Sequence, residues 1–107
     1  MKLAKDLVAA SAAPIILSIL KDGESYGYAI IQRVRELSGG QMRWTDGMLY
    51  PVLHRLEEQG AVTSRWKIAA TGRRRKYYAI KRQGRKVLEE HKTQWRLVNA
   101  ALASMWR

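Results

Sequence analysis

The spacing of apolar residues changes twice along this chain, at Gly60 and again after Ile80. Before Gly60 apolar side chains recur every three or four positions, which predicts helices. From residue 61 to residue 80 apolar and polar side chains alternate, which predicts strands, and the helical spacing then returns. The sequence therefore predicts a mainly α fold with a small β-hairpin placed before its last helix.

The first helix is predicted over residues 3–21 and contains one proline. Pro14 has no N–H to donate and its ring crowds the carbonyl four residues earlier, so a proline inside a helix disturbs it. Either Pro14 kinks a single helix, or Ser11 caps a fresh helix in whose first turn Pro14 lies. The sequence leaves both arrangements open.

A second helix is predicted over residues 26–37, with Ser25 as its N-cap. Gly27 lies in its first turn, where the missing side chain permits another helix to approach closely. Ser38-Gly39-Gly40 ends this helix. Residues 41–44 are expected to be extended and are the candidate first strand of a small sheet.

A third helix is predicted to start at Thr45 and to end before Gly60. Thr45 is a suitable N-cap, and Trp44 and Leu49 have the spacing of a hydrophobic staple. The helix combines an aliphatic stripe with an exposed face that presents aromatic, imidazole and guanidinium groups. The stripe is Leu49, Val52, Leu53 and Leu56, and the exposed face is Gly47, Pro51 and His54, flanked by Tyr50 and Arg55.

A β-hairpin is predicted from strands at residues 61–68 and 75–80, joined by a tip at residues 69–74. Trp66 lies on the same face as the apolar start of its strand, so it is expected to pack on the core, as is Tyr78. A two-stranded hairpin is marginal alone and must therefore pack on the helices. The alternation also divides the cations near the tip, with Arg73 and Arg75 facing opposite to Arg74 and Lys76.

The last helix is predicted over residues 81–107 and is the longest. Its apolar and aromatic side chains follow alternating steps of three and four, the heptad spacing of a helix that pairs with another helix. The other helices are short and have core faces of their own to fill, so a homodimer through this segment is predicted. The interface seam is Leu88, His91, Trp95, Val98, Leu102 and Met105.

The net charge of +11 comes entirely from the second part of the chain. Residues 1–60 hold equal numbers of acidic and basic side chains, whereas residues 61–107 hold thirteen Lys or Arg against Glu89 and Glu90. Ten of those cations fall between Arg65 and Lys86, with no acidic residue among them. Such an excess predicts a polyanionic partner, either nucleic acid or an anionic membrane surface.

Composition argues against several classes of protein. The chain has no cysteine, which excludes disulfides and thiolate metal sites. The two histidines, His54 and His91, lie in different predicted elements, so no enzyme, metal site or cofactor is expected. No apolar run is long enough to span a membrane, and the start of the chain lacks a cleavage-type ending. A cytoplasmic protein is therefore expected.

The order of the predicted elements is that of a winged helix-turn-helix with an appended dimerisation helix. The predicted units are a DNA-binding domain at residues 1–80 and a dimerisation helix at residues 81–107. In this fold the third helix enters the major groove of double-stranded DNA, and the hairpin, or wing, follows the backbone nearby. Arg55 suits guanine edges, Tyr50 and His54 suit phosphates or mixed contacts, and the tip cations suit phosphates or the minor groove.

Two alternatives remain open from the residues alone. A membrane-surface protein needs its cations and an apolar stripe on one amphipathic helix, whereas here the cations lie on the hairpin, away from the seam, so no membrane partner is expected. An RNA-binding module would stack bases on aromatic side chains of a basic sheet. Tyr77 and Tyr78 keep that alternative open.

Three blocks of the sequence resemble the signature blocks of the PadR family of transcriptional regulators. They are Tyr26 to Ile30, Gly47 to Glu57 and Gly72 to Tyr78, in the family's order and spacing, and the match spans about residues 12–106. The resemblance, closest to the compact branch with one winged-helix domain, implies a dimeric repressor of a nearby promoter, released by a small molecule or a stress signal. Asp46 and Met48 depart from the family pattern, and Met48 replaces a threonine hydroxyl.

The residues and the resemblance together define the candidate sites. Trp95 approaches its mate near the two-fold axis of a symmetric dimer, and some compact family members bind planar drugs or phenolic compounds between protomers. The resemblance thus implies a planar aromatic effector beside Trp95, with plain interface packing as the alternative. The candidate DNA-binding residues are Ser25, Tyr26, Thr45, Gly47, Met48, Tyr50, Pro51, His54, Arg55, Arg73, Arg74 and Lys76.

Overall fold

The computed structural model describes residues 2–107 and confirms the predicted architecture, mainly helical with one small sheet. The three strands are antiparallel and lie in the order β1-β3-β2. We call β2, β3 and the tip between them the wing. The elements are α1 (Lys5–Lys21), β1 (Ser25–Tyr26), α2 (Gly27–Leu37), α3 (Asp46–Glu58), β2 (Val62–Ile68), β3 (Arg74–Ile80) and α4 (Arg82–Met105).

The core lies between the helices and the base of the wing. Each helix contributes aliphatic side chains at helical spacing, and the sheet contributes the residues nearest the base of the hairpin. Burial of this set supplies the main driving force for folding. Its largest fully buried members are Ile16, Leu17, Leu20, Ile30, Val34, Leu49, Leu53, Leu56, Val62, Tyr78 and Leu88.

Pro14 lies inside one continuous helix. The Ser11 hydroxyl donates to the carbonyl of Leu7 at 2.7 Å, within the same helix, and so it does not cap a new one. Of the two arrangements that the sequence left open, the structure therefore has the single helix, running from Lys5 to Lys21.

The predictions for Ser25 and for residues 41–44 are wrong. Ser25 pairs with Tyr78 in the sheet, and α2 begins at Gly27 after Tyr26, whose side chain makes no capping hydrogen bond. Residues 41–44 form no strand. The Met42 N–H donates instead to the Ser38 hydroxyl at 2.8 Å, so this donor is used locally and is not available to a sheet.

The start of α3 follows the prediction closely. The Thr45 hydroxyl accepts a hydrogen bond from the Met48 N–H at 3.3 Å, which confirms the N-cap. Trp44 and Leu49, the predicted staple pair, are both buried in the core. Pro51 lies inside the helix, which runs without a break from Asp46 to Glu58.

The first turns of α4 pack into the same core as the wing. A Cβ at Gly84 would overlap the carbonyl oxygen of Ala61, so only glycine lets α4 lie this close to the base of the hairpin. Leu88 is 2% exposed within this single chain, and its placement in a dimer interface is therefore corrected. The helix predicted to dimerise, residues 81–107, thus begins with turns that pack in the protomer core.

Candidate nucleic-acid interface

The exposed face of α3 carries the residues that the sequence analysis placed there. Pro51, His54 and Arg55 are exposed, as is Thr45 at the cap. Gly47 is exposed too, and a Cβ added to it would find only the Thr45 hydroxyl, 3.9 Å away. No contact inside the protein requires glycine at this position, so the free space lies on the outer side of the helix.

Tyr50 joins α3 to the start of α2. Its hydroxyl lies over Gly27, where an added Cβ would overlap it, so the close approach predicted at Gly27 is confirmed. The ring centroids of Tyr50 and His54 are 6.5 Å apart and tilted. This arrangement keeps Tyr50 half-buried at one flank of the exposed face, with His54 beside it in solvent.

Met48 does not reach this face. Its half-buried side chain packs against the core and lines a pocket between α1 and α3 with Leu3 and Val8. Position 48 follows the apolar side of the helix toward α1, so its side chain is directed away from the exposed face that carries His54. Arg55 lies at the edge of a neighbouring pocket on the same side of α3.

One face of the wing holds cations that already have partners. Arg65 and Lys67 both donate hydrogen bonds to the Glu24 carboxylate, Arg65 at 3.2 Å. The hydrogen bond from Lys67 is the largest of the effects that lower the pKa of Glu24. On this same face Arg75 lies 4.3 Å from the Tyr26 ring centroid. These contacts hold the hairpin against β1.

The opposite face of the wing holds cations with no acidic partner. Arg74 lies over the Trp66 ring at 5.1 Å and Lys76 over the Tyr78 ring at 5.7 Å. Neither they nor Arg73 form an ion pair within residues 2–107. The predicted separation of Arg74 and Lys76 from Arg75 is confirmed. Their charges are free to meet an external anion.

A groove brings the wing, α2 and α3 together. It encloses about 680 Å³, and no acidic residue lines it. We call it the wing groove. Its walls are aromatic on the helix side and cationic on the wing side, and its lining is Tyr26, Gly27, Tyr28, Tyr50, Trp66, Arg73, Arg74, Arg75 and Lys76.

Sequence reasoning missed two residues of this groove. Trp66 was expected on the core but is 59% exposed, and Tyr28 is 65% exposed. The strand simply continues beyond the core, since Val62 at its base is buried while Trp66, on the same face, is not. The dense cations around Trp66 were the signal in the sequence that this part of the strand is exposed.

The base of the wing is fixed to α3. The Ser64 hydroxyl donates to the Glu57 carboxylate at 2.6 Å, and Tyr78 is buried as expected. The Tyr78 hydroxyl has no hydrogen-bond partner among the described residues, and burial raises its pKa above the ordinary phenol value. The wing thus has a packed base and an open tip.

The predicted seam on α4 divides into two parts. His91 and Trp95 are partly buried beside α1, where they line a shallow pocket of about 290 Å³ that includes Pro14 and Ile15. Farther along, Val98 is 50%, Leu102 37% and Met105 79% exposed. The second half of α4 therefore presents apolar side chains that the rest of the described residues, 2–107, leave partly or largely exposed.

Other kinds of site are not formed by the described residues. Residues 2–107 contain no group of three or more side chains suited to hold a metal ion. Among these residues, no helix has the length and apolar character needed to cross a bilayer. The candidate interface is therefore defined by α3, the start of α2 and the wing.

Comparisons with known proteins agree with this arrangement. Residues 16–90 match the family model described as the transcriptional regulator PadR-like family. The chain is 32% identical over 84 residues to the transcriptional regulator YqjI of Escherichia coli, an alignment that covers 78% of this chain but 39% of that protein.

Solved structures show the same fold. A transcriptional regulator from Clostridium thermocellum superposes with a TM-score of 0.87 at 29% identity, covering 96% of this chain and all of that one. A PadR family transcriptional regulator from Eggerthella lenta superposes with a TM-score of 0.80 at 27% identity, covering 95% of this chain and 87% of that one.

Proposed function

The chain belongs to the PadR-like family of transcriptional regulators, which are not enzymes, and on this premise we propose that it is a homodimeric, sequence-specific repressor. It acts on double-stranded DNA in the cytoplasm, and a small molecule or stress signal releases it. The wing groove carries this proposal, because it joins the exposed flank of α3 to cations that have no acidic partner.

The wing supplies most of the affinity in this proposal. Arg73, Arg74 and Lys76 engage backbone phosphates or the minor groove, and each phosphate they neutralise releases counterions from the DNA. Such contacts are independent of sequence. They hold the protein on the duplex and set its orientation.

α3, the recognition helix, supplies selection in the major groove. Arg55 suits guanine, and His54 and Tyr50 suit mixed contacts with base edges and phosphates. Exposed Gly47 and Pro51 allow the backbone of the helix to approach the DNA. Because the helix holds three acidic residues against one basic residue, it adds little electrostatic affinity of its own.

The second half of α4 forms the proposed dimer interface. Val98, Leu102 and Met105 keep heptad spacing and are exposed in the single chain, and burying them against a second copy removes apolar surface from water. A two-fold dimer of this kind reads two half-sites separated by about 34–36 Å, one turn of DNA, or a multiple of it. The proposed interface thus begins after the part of α4 that packs in the protomer core.

The dimer is tested by substituting two leucines of one helix. We expect Leu102→Asp to shift the protein toward monomer in sedimentation velocity, because a carboxylate on the seam loses hydration in the interface. Leu97→Asp is the matched control, since Leu97 is exposed but lies off the heptad positions. Dissociation by Leu97→Asp with an intact Leu102→Asp dimer would show that the seam is assigned to the wrong face.

The pocket beside Trp95 is the proposed effector site. The half-exposed indole and the adjoining Pro14 and Ile15 offer a flat apolar wall, suited to a planar aromatic molecule held between two protomers. A fused-ring dye such as proflavine, titrated without DNA, should quench the wild-type protein and Trp106→Phe alike. Quenching retained in Trp95→Phe would remove Trp95 from the site.

The structure removes the two tyrosines on which the RNA alternative rested. Tyr78 is 1% exposed, and the Tyr77 ring meets Tyr26 edge-on at 5.3 Å with Lys67 over it at 4.6 Å. Neither tyrosine therefore offers a free face on which a base could stack.

The proposed function is tested by footprinting on duplex DNA from the source genome. We expect protection of a site with two half-sites related by two-fold symmetry, near a promoter. A binding pattern without symmetry would contradict the dimeric arrangement. Equal affinity for every fragment would contradict sequence-specific regulation.

A further inference from the structure

Trp66 occupies an unusual position on the wing. Its indole shares one face of β2 with Val62, which is buried, yet Trp66 itself is 59% exposed. Large aromatic side chains are normally buried or used at interfaces, where they give much contact area for little loss of conformational entropy. Trp66 is not part of the core.

The surroundings of Trp66 show which interface it suits. Lys76 lies directly across the sheet from it, and the Arg74 guanidinium carbon lies over its ring, 5.1 Å from the centroid. It also lines the wing groove together with Tyr50 of the recognition helix. The indole therefore stands between the cations of the wing and the helix that enters the major groove.

We propose that Trp66 contacts the DNA directly, packing its indole against the deoxyribose and base edges beside the phosphates that Arg74 and Lys76 engage. This inference rests on the proposed function, since it needs the wing to lie on duplex DNA. It changes the role of the wing, which then combines its charge with an apolar contact that depends on the shape of the groove.

The chemistry of the pair supports a joint contact. The ring faces Arg74 on one side, and the cation–π contact restricts the guanidinium to fewer orientations before DNA arrives. The apolar C–H groups of deoxyribose suit the face of an indole, which is apolar over most of its area. Trp66 is thus suited to a DNA backbone.

The salt dependence of DNA affinity distinguishes a direct contact between Trp66 and DNA from a role in which Trp66 only positions Arg74. Trp66 carries no charge, so its loss should weaken binding by a similar factor at every salt concentration. Arg74 neutralises phosphate, so its loss should also reduce the slope of log K against log salt, by about 0.9 for each phosphate. A tryptophan that only positioned Arg74 would change that slope as well.

The experiment measures the binding of wild type, Trp66→Ala, Trp66→Phe and Arg74→Ala to the footprinted duplex across a salt series. We expect Trp66→Ala to bind about tenfold more weakly with an unchanged slope, as for loss of an aromatic stacking contact. Trp66→Phe should retain most of the affinity. Leu37→Ala is the matched control, because Leu37 is also 59% exposed but lies outside the groove.

Each contrary result has a separate meaning. If wild type binds the duplex and Trp66→Ala matches it at every salt concentration, the contact is wrong and DNA binding by the wing stands. If Trp66→Ala lowers the slope as Arg74→Ala does, Trp66 only positions that arginine, and the contact is again wrong. If wild type shows no salt-dependent duplex binding, the proposed function itself fails.

A fluorescence measurement supports the titration. The emission lost between wild type and Trp66→Phe reports Trp66, which is open to acrylamide in the free protein because of its exposure. We expect the duplex to protect that component from acrylamide. An equally accessible Trp66 signal in the complex would overturn the contact.

Discussion

The recognition helix and the wing border the same groove but are built in opposite ways. The helix holds three acidic residues and one basic residue, and it is held in place by three leucines that are no more than 2% exposed. The wing holds six basic residues and no acidic one, and most side chains at its tip, residues 69–74, are exposed. Packing thus fixes the geometry of the helix, whereas the wing is distinguished by its charge, which in the proposed function attracts it to DNA.

The difference implies a division of labour. A neutral or acidic helix gains little binding free energy from counterion release. Its contribution to binding therefore depends on the bases it meets, and it is lost when the DNA sequence is wrong. A basic hairpin attracts every sequence alike. The two roles can therefore be separated by substitutions that touch one region only.

The largest expected effect comes from the unpaired face of the wing. Arg74→Ala with Lys76→Ala should weaken duplex binding about a hundredfold at physiological salt, because two phosphate contacts per protomer are lost. The matched control is Arg65→Ala with Lys67→Ala, which removes the same charge from the face that Glu24 already neutralises. Fluorescence anisotropy measures both, and an equal loss in the two double variants would contradict the assignment of faces.

The next effect tests the recognition helix through a single methyl group. Gly47→Ala should stabilise the fold by less than about 1 kcal/mol, because alanine is a better helix former than glycine, position 47 lies in the first turn, and the protein leaves room for a Cβ there. It should nevertheless weaken operator binding about tenfold, if the backbone approaches the DNA there as closely as a bidentate contact needs. Thermal unfolding and anisotropy measure the two changes; unaltered binding would mean that this turn stays clear of the duplex.

A second glycine gives the contrasting result within the fold. Gly84→Ala should destabilise the protein by about 1–3 kcal/mol, the usual cost of overpacking, because its Cβ meets the Ala61 carbonyl oxygen. Denaturant unfolding measures it. Stability equal to wild type would show that α4 can move away from the wing base without cost, which the packing of Leu88 argues against.

A smaller effect is expected at the base of the wing. Tyr78→Phe removes a buried hydroxyl that has no hydrogen-bond partner within residues 2–107, so stability should stay equal or rise slightly. Because the folded-state pKa of Tyr78 is raised, wild type should lose stability as the pH rises above the ordinary phenol pKa, while Tyr78→Phe loses less. Unfolding followed between neutral and alkaline pH checks the difference.

The smallest effect concerns the hydrogen bonds that Arg65 and Lys67 of the wing donate to Glu24, which we call the clamp. The folded-state pKa of Glu24 is lowered, so its contribution is complete above the ordinary carboxyl pKa and is lost as the pH falls through the folded value. The measurement is amide hydrogen exchange at the wing tip, corrected for the intrinsic pH dependence of exchange. We expect the corrected rate to rise on acidification in wild type and to stay constant over the same pH range in Glu24→Gln. The same pH response in both proteins would rule out the clamp.

The sequence predicted those features that depend on local chemistry. The cap at Thr45, the strand alternation that separates Arg74 from Arg75, and the close approach at Gly27 each follow from a few adjacent residues, and the structure confirms them. The order of the elements was also enough to predict the winged fold.

Features that depend on where the core ends could not be predicted in this way. A strand as short as Ser25–Tyr26 carries no periodic signal, and its pairing depends on the distant β3. Trp66 and Leu88 have patterns that allow either burial or exposure. Whether each side chain is buried depends on where the core ends. That boundary lies between Val62 and Trp66 on β2 and between Leu88 and Val98 on α4.

The central claim is that the wing supplies affinity and the recognition helix supplies selection. The most direct test is the ratio of affinities for the footprinted site and an unrelated duplex at one salt concentration, measured for His54→Ala and for Arg74→Ala with Lys76→Ala. We predict that His54→Ala lowers the ratio, whereas the wing variant weakens both affinities and leaves the ratio near that of wild type. A ratio that falls in the wing variant and survives in His54→Ala would contradict the account.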